Sequence, residues 1–160
     1  MAGEPVQGVR GTVGESAMIL GYAGLLPQVA AAATCALDHN GALGSMFAFG
    51  YAALILSFLG GIWWGFAMHV GRGQDRTACI AVVPSLVAAA LFLLSAGNVV
   101  SLPWALVLMG SAVLLTLLVD RRLDAEGIVP DGWMTLRVPL SLGLGSITIL
   151  IGALCGALAA

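Results

Sequence analysis

Apolar residues along this chain come in five long runs, at about 16–37, 42–70, 77–96, 104–119 and 138–159, separated by short polar breaks. The breaks are the turn Asp38-His39-Asn40-Gly41, the loop from Gly71 to Arg76, the Gly97-Asn98 and Ser101-Leu102-Pro103 stretch, and a longer hydrophilic connection at 120–137. An α-helix rises ~1.5 Å per residue, so roughly 20 apolar residues span a ~30 Å hydrocarbon core. The second run exceeds that length and is expected to tilt or project; the fourth is short and relies on its flanks or a thinned bilayer. Backbone in lipid has no water to bond, so every run is expected to be helical. The expected fold is all-α: a polytopic bundle of five transmembrane helices forming one domain over 15–160. A cytosolic arm at 1–14 precedes it, and 120–137 forms a cytosolic loop. Arg10 before the first run and Ala31, Ala33 and Ala36 late in it outline a cleaved leader, but the run is read as a retained span.

Composition supports lipid as the solvent. Of 160 residues, 60% are hydrophobic and 9% charged, against roughly 25% charged in a soluble domain. The basic residues are all arginines: Arg10, Arg72, Arg76, Arg121, Arg122 and Arg137. They fall in the arm, the second-to-third loop and the fourth-to-fifth loop, which five spans place on one side. Positive charge stays in the cytoplasm, so the N-terminus is expected inside and the C-terminus in the periplasm of a bacterial inner membrane. A net charge of −2 with no basic stripe excludes a nucleic-acid partner. Cys35, Cys79 and Cys155 stand singly, without disulfide or zinc spacing, and read as small buried hydrophobes.

Helix two carries the densest pattern, SFLGGIWWG at 57–65. Ala53, Ser57, Gly61 and Gly65 stack at four-residue spacing, with His69 one turn on and Gly60 alongside. Small side chains let helices approach closely in lipid, so this strip is expected to be a packing face. The competing reading is a groove for a lipid, quinone or pigment, walled by Trp64 and reached by Gln28. Helix five repeats the motif with Thr148, Gly152 and Gly156. Trp63, Trp64, Trp104 and Trp133 have the character of an interfacial belt, with Trp104 read as an anchor. Gln28 follows Pro27, which removes a backbone bond, and its amide is expected to meet a freed carbonyl or a neighbouring helix. His69 and His39 fall on opposite sides, which excludes a bis-histidine haem, and no metal site or resident cofactor is expected. No ionisable residue reads as membrane-embedded, which counts against an ion-coupled carrier; Asp120, Arg121, Arg122, Asp124 and Glu126 read as a solvated helix end. No nucleophile–base set, HExxH or phosphate loop is present, which counts against an enzyme.

Three stretches carry a resemblance: Leu20 to Pro27, Tyr51 through Gly65 with its SFLGGxxWG core, and Pro130 to Arg137. On these the chain resembles a family of small, functionally uncharacterised bacterial membrane proteins with a mitochondrial relative, transmembrane protein sixty-nine. That family usually has a histidine or arginine where Trp63 stands here. The resemblance implies a multi-pass bundle in an energy-transducing inner membrane and assigns no reaction. The leading functional expectation is a non-catalytic accessory or assembly subunit. It would pack through its small-residue faces against a larger respiratory or photosynthetic complex, with membrane lipids and other membrane subunits as partners. The alternative is a binding or transport module for a quinone, lipid or pigment, and the third reading is a membrane enzyme of unrecognised chemistry.

Overall fold

The computed structural model describes residues 11–37, 41–69 and 74–158, with side-chain surroundings up to Leu154. Arg10, Arg72, His39 and most of the N-terminal arm lie outside the described residues, as does the side of the chain around Gly156. The elements are α1 (Glu15–Ala23), α2 (Leu26–Leu37), α3 (Ala42–His69), α4 (Gln74–Ala96), α5 (Leu102–Ala125) and α6 (Trp133–Leu158). Taken together, α1 and α2 form one span, and five helices are long and apolar enough to cross a membrane. The chain is a multi-pass α-helical membrane protein.

Several boundaries differ from the sequence reading, among them the start of α4 at Gln74 rather than 77. The first span is broken at Gly24-Leu25, because Pro27 supplies no N–H to the turn before it. The Tyr51 hydroxyl on α3 donates to the Gly24 carbonyl at 2.5 Å, tying the break to the bundle. The fourth span begins two residues earlier than expected, at Leu102, and runs on through Asp120, Arg121 and Arg122 to Ala125, while α6 begins at Trp133 rather than 138. The connection between them therefore shrinks to 126–132, turned by Gly127 and Gly132 at φ 72° and 82°. Only glycine takes that left-handed backbone without strain. Charged residues read as loop by composition, yet arginine is a good helix former and its charge suits a helix C-terminus.

Close approach of backbones sets the packing. On α5 and α6, the longest-paired helices, a methyl group at Gly110 would lie 2.6 Å from the Gly145 carbonyl oxygen, and one at Gly152 2.6 Å from that of Pro103. Gly60 does the same for α3 against the Ala81 carbonyl of α4, and Gly44 for α3 against the backbone of Cys35 on α2. In lipid such fits replace the hydrophobic effect as the force between helices. Around them Ala48, Ala52, Leu56, Leu106, Met109, Val113 and Ile151 fill the centre. The outer surface is apolar, with Leu20, Leu37, Phe58 and Trp104 among the exposed side chains.

At one end the arm meets the last connection: the Val13 amide donates to the Asp131 carbonyl at 3.1 Å, and the Asp131 amide to that of Gly11 at 2.9 Å. Alternation of the spans brings exposed Arg76, Arg121 and Arg122 to this same end. Gly60→Ala should destabilise the bundle by about 1–3 kcal/mol through overpacking. Gly61→Ala, with open space beside it, should change stability little or raise it by up to about 1 kcal/mol through helix propensity. Thermal unfolding in detergent measures both.

A buried ion pair between two apolar cavities

The polar centre of the bundle is built by the residues where α5 and α6 approach the arginine-bearing end. Val113, Thr116, Asp120 and Leu123 recur at three- and four-residue spacing and so share the inner face of α5; all are buried. On α6, Trp133, Leu136, Arg137, Ser141, Leu144 and Thr148 do the same. Asp120 is fully enclosed, and its carboxylate accepts at every lone-pair direction. Oδ1 receives the indole N–H of Trp63 at 3.0 Å and that of Trp133 at 3.2 Å. Oδ2 receives Nε of Arg137 at 2.9 Å and Nη2 at 2.8 Å. Nη2 also donates to Thr116 Oγ1 at 3.1 Å, and that hydroxyl passes its own proton to the Val113 carbonyl at 2.6 Å. Three helical side chains thus surround one carboxylate with donors, as burying a charge requires.

Aromatic rings enclose the pair. The Arg137 guanidinium carbon lies 6.0 Å from the centre of the Trp133 ring, within cation–π range. Phe66 meets Trp133 edge to face at 5.4 Å. Ile62, Ile80, Leu123 and Val129 complete the apolar shell.

Cavities flank this centre on two sides. The larger, about 360 Å³, opens between α1, α3 and α6. Its walls are apolar (Gly21, Leu25, Ile55, Leu59 and Leu140 among them), with Trp133 and the edge of Arg137 at the arginine-bearing end. Leu20 and Phe58 stand at its rim, 71% and 64% exposed, so it faces the lipid. It exists because α1 buries no residue and leans on α6, leaving a gap towards α3. The smaller, about 240 Å³, lies between α3, α4 and α5 and is lined by Trp63, Pro84 and Thr116.

The residues singled out from sequence are distributed differently. Gly60 is a buried contact, but Gly61 and Gly65 have nothing within 4 Å, and Trp64 and His69 are exposed. Ala53 and Ser57 are half-buried on that outward strip. Gln28 is enclosed, and its Nε2 donates to Thr148 Oγ1 on α6 at 2.8 Å, while Thr148 donates to the Leu144 carbonyl. Thr148 and Gly152 face α2 and α5 within the bundle. The Gln28 Oε1 and Ser141 Oγ atoms are buried without a partner among the described residues. None of Gly60, Gly61, Trp64 or Gln28 lines the larger cavity.

Two readings are corrected. Asp120 and Arg137 are ionisable groups buried inside helices long and apolar enough to span a membrane, where none was expected, and Arg137 is paired rather than a free charge of the loop. Trp133 belongs to this buried centre rather than to an interfacial belt, whereas Trp104 is 64% exposed at a helix start. Arg121, Arg122, Asp124 and Glu126 are exposed, as a solvated helix end requires. The periodicity from Val113 to Leu123 was the signal that would have separated Asp120 from its charged neighbours.

Comparison with protein families matches residues 13–154 to DUF3429, described as a protein of unknown function. The chain belongs to that family. No curated protein and no solved structure matches. The matched region of DUF3429 covers all five spans and both ends of the ion pair. Among the described residues no group of His, Cys, Asp and Glu could hold a metal ion.

Asp120→Ala should cost about 3–5 kcal/mol, because it strands a buried guanidinium. Asp120→Asn with Arg137→Met, which keeps an acceptor for both indoles, should recover most of that loss. Denaturant unfolding of Asp120→Ala, of Asp120→Asn and Arg137→Met singly, and of the double variant checks the coupling. Trp63→Phe should cost about 1.5–3 kcal/mol, the worth of a hydrogen bond to a charged group.

Proposed function

We propose that this chain is a non-catalytic binding module for a hydrophobic small molecule, which enters the α1–α3–α6 cavity from the lipid. The observation that carries this reading is the cavity itself: about 360 Å³, apolar, open towards the bilayer and bordered by a buried arginine. That size lies at the lower end of small-molecule sites, ~300–1,000 Å³, which are typically apolar with few polar groups. A quinone, a lipid or a pigment tail suits such walls. The module has no cofactor of its own. It sits in a bacterial inner membrane with its N-terminus cytoplasmic and its C-terminus periplasmic, an orientation supported by the arginines at one end. The kinship to transmembrane protein sixty-nine belongs to the same reading.

Ala17 lines the cavity from exposed positions on α1. Ala17→Trp should fill it without disturbing the core. Retention of a fluorescent hydrocarbon probe by the purified chain should fall at least about tenfold, several buried methylenes being lost. Unfolding temperature should hold. Unchanged retention sinks the reading. A C-terminal alkaline phosphatase fusion should be active, and a fluorescent-protein fusion at the same end dark; the reverse pattern overturns the orientation.

A second reading rests on a separate observation. The strip of Gly61 and Gly65 with half-buried Ala53 and Ser57 faces outward, with nothing in this chain packed on the two glycines. It supports an accessory or assembly subunit that docks this strip on another membrane protein of a respiratory or photosynthetic complex. Gly61→Leu with Gly65→Leu should then abolish co-purification with that complex in mild detergent while leaving the unfolding temperature of the isolated chain unchanged.

A further inference from the structure

The buried ion pair is closed on itself except at one atom. Asp120 accepts three hydrogen bonds and an ion-pair contact from Nη2, Thr116 accepts one bond and donates one, and Arg137 spends Nε and Nη2 on these two partners. The other amino group of Arg137, Nη1, makes none of these bonds and has no partner among the described residues. Arg137 is nine-tenths buried, yet it forms part of the wall of the larger cavity. An arginine has five N–H donors in a fixed fork, so satisfying one edge of the guanidinium leaves the remaining donors in a fixed direction. Nη1 is not among the buried atoms left without a partner, so it keeps accessible surface, and because the walls around the cavity are otherwise apolar only an incoming molecule or water can accept from it there.

Charge decides which acceptor fits. The guanidinium is already neutralised by the Asp120 carboxylate at 2.8 Å. An incoming anion would therefore shed its hydration without meeting an unpaired cation, and would feel the aspartate as well as the arginine. Burying a charge under those terms is unfavourable. A neutral oxygen acceptor avoids this penalty and still satisfies Nη1. The cavity also has length: its wall on α6 runs from Trp133 to Leu144, ~16 Å at helical rise. The arginine sits near the helix-end side of that length, and the far side is aliphatic.

We propose that the cavity selects an elongated neutral lipid ending in a carbonyl oxygen, which accepts from Nη1 of Arg137, over carboxylate- or phosphate-headed lipids. The selection rests on the binding reading above and adds the class of molecule to it. Quinones and neutral acyl esters share this chemistry. The head lies beside Trp133 and Arg137, and the tail runs past Leu140 and Ile55 towards the centre of the bilayer. The ion pair thus acts as a polarised donor held at zero net charge, so that affinity depends on the head group rather than on overall attraction.

The test uses the full chain in detergent with a fluorescent hydrocarbon bound, and measures its displacement by four probes of equal tail length. These are an alkane, an alkyl benzoquinone, a fatty-acid methyl ester and the corresponding fatty carboxylate at a pH where it is ionised. The benzoquinone or the ester should displace about tenfold more tightly than the alkane and the carboxylate, the worth of one hydrogen bond. Whichever of the two is tighter identifies the source of the carbonyl. In the Asp120→Asn, Arg137→Met variant the hydrocarbon should still bind and the tenfold preference should vanish. A carboxylate that binds as tightly as the ester, or a preference that survives in the variant, overturns the selection while the cavity remains a binding site. Failure of the hydrocarbon itself to bind removes the binding reading and the selection with it. The comparison among probes on the unaltered chain stands even if the variant does not fold.

Discussion

The contact between Asp120 and Arg137 organises the arginine-bearing half of this bundle. Two opposite charges in a medium of low dielectric attract strongly, yet removing each from water costs several kcal/mol, so such a pair is seldom a net source of stability. What it imposes is geometry. Asp120 must meet two indoles and a guanidinium at once, which fixes the rotation of α5 against α6 and brings Trp63 of α3 to the same point. A slip of one residue in any of the three helices would leave a charge or an N–H without its partner. Polar contacts that tolerate only one arrangement confer specificity where apolar packing alone permits several.

Glycines carry the complementary part of the design. Polar saturation fixes register near one end, and close backbone contact at Gly110, Gly145 and Gly152 fixes it along the rest of α5 and α6. The same division separates the helices that are tightly joined from the one that is not. α1 has neither a buried residue nor a place in the ion-pair network, and the larger cavity lies beside it. The void is a consequence of where the packing stops.

Much of the fold is legible in the sequence, because lipid demands long apolar runs and these are unmistakable at 60% hydrophobic content. Helix ends are harder. A run of charges such as Asp120, Arg121, Arg122 reads as loop by composition, and only the three- and four-residue recurrence of Val113, Thr116, Asp120 and Leu123 shows that the first of them points inward. The glycine strip on α3 illustrates the limit of spacing arguments: Gly60 and Gly61 are adjacent, so they lie about 100° apart on the helix, and sequence alone does not say which faces the neighbouring helix. The structure turns Gly60 inward and leaves Gly61 to the outside. The larger cavity was beyond reach, since it depends on a gap between α1 and α3 that no local pattern encodes.

The first span packs on α3 through α2, and its other partner lies at the opposite end of the described chain. α1 leans on α6, and Gln28 of α2 is answered by Thr148, 120 residues later. A ribosome delivers these pieces in order, so the Gln28 amide meets Thr148 only after α6 has been made. The arm is likewise held only once Asp131 has emerged. The cavity, walled by α1, α3 and α6, is therefore complete only once α6 is in place.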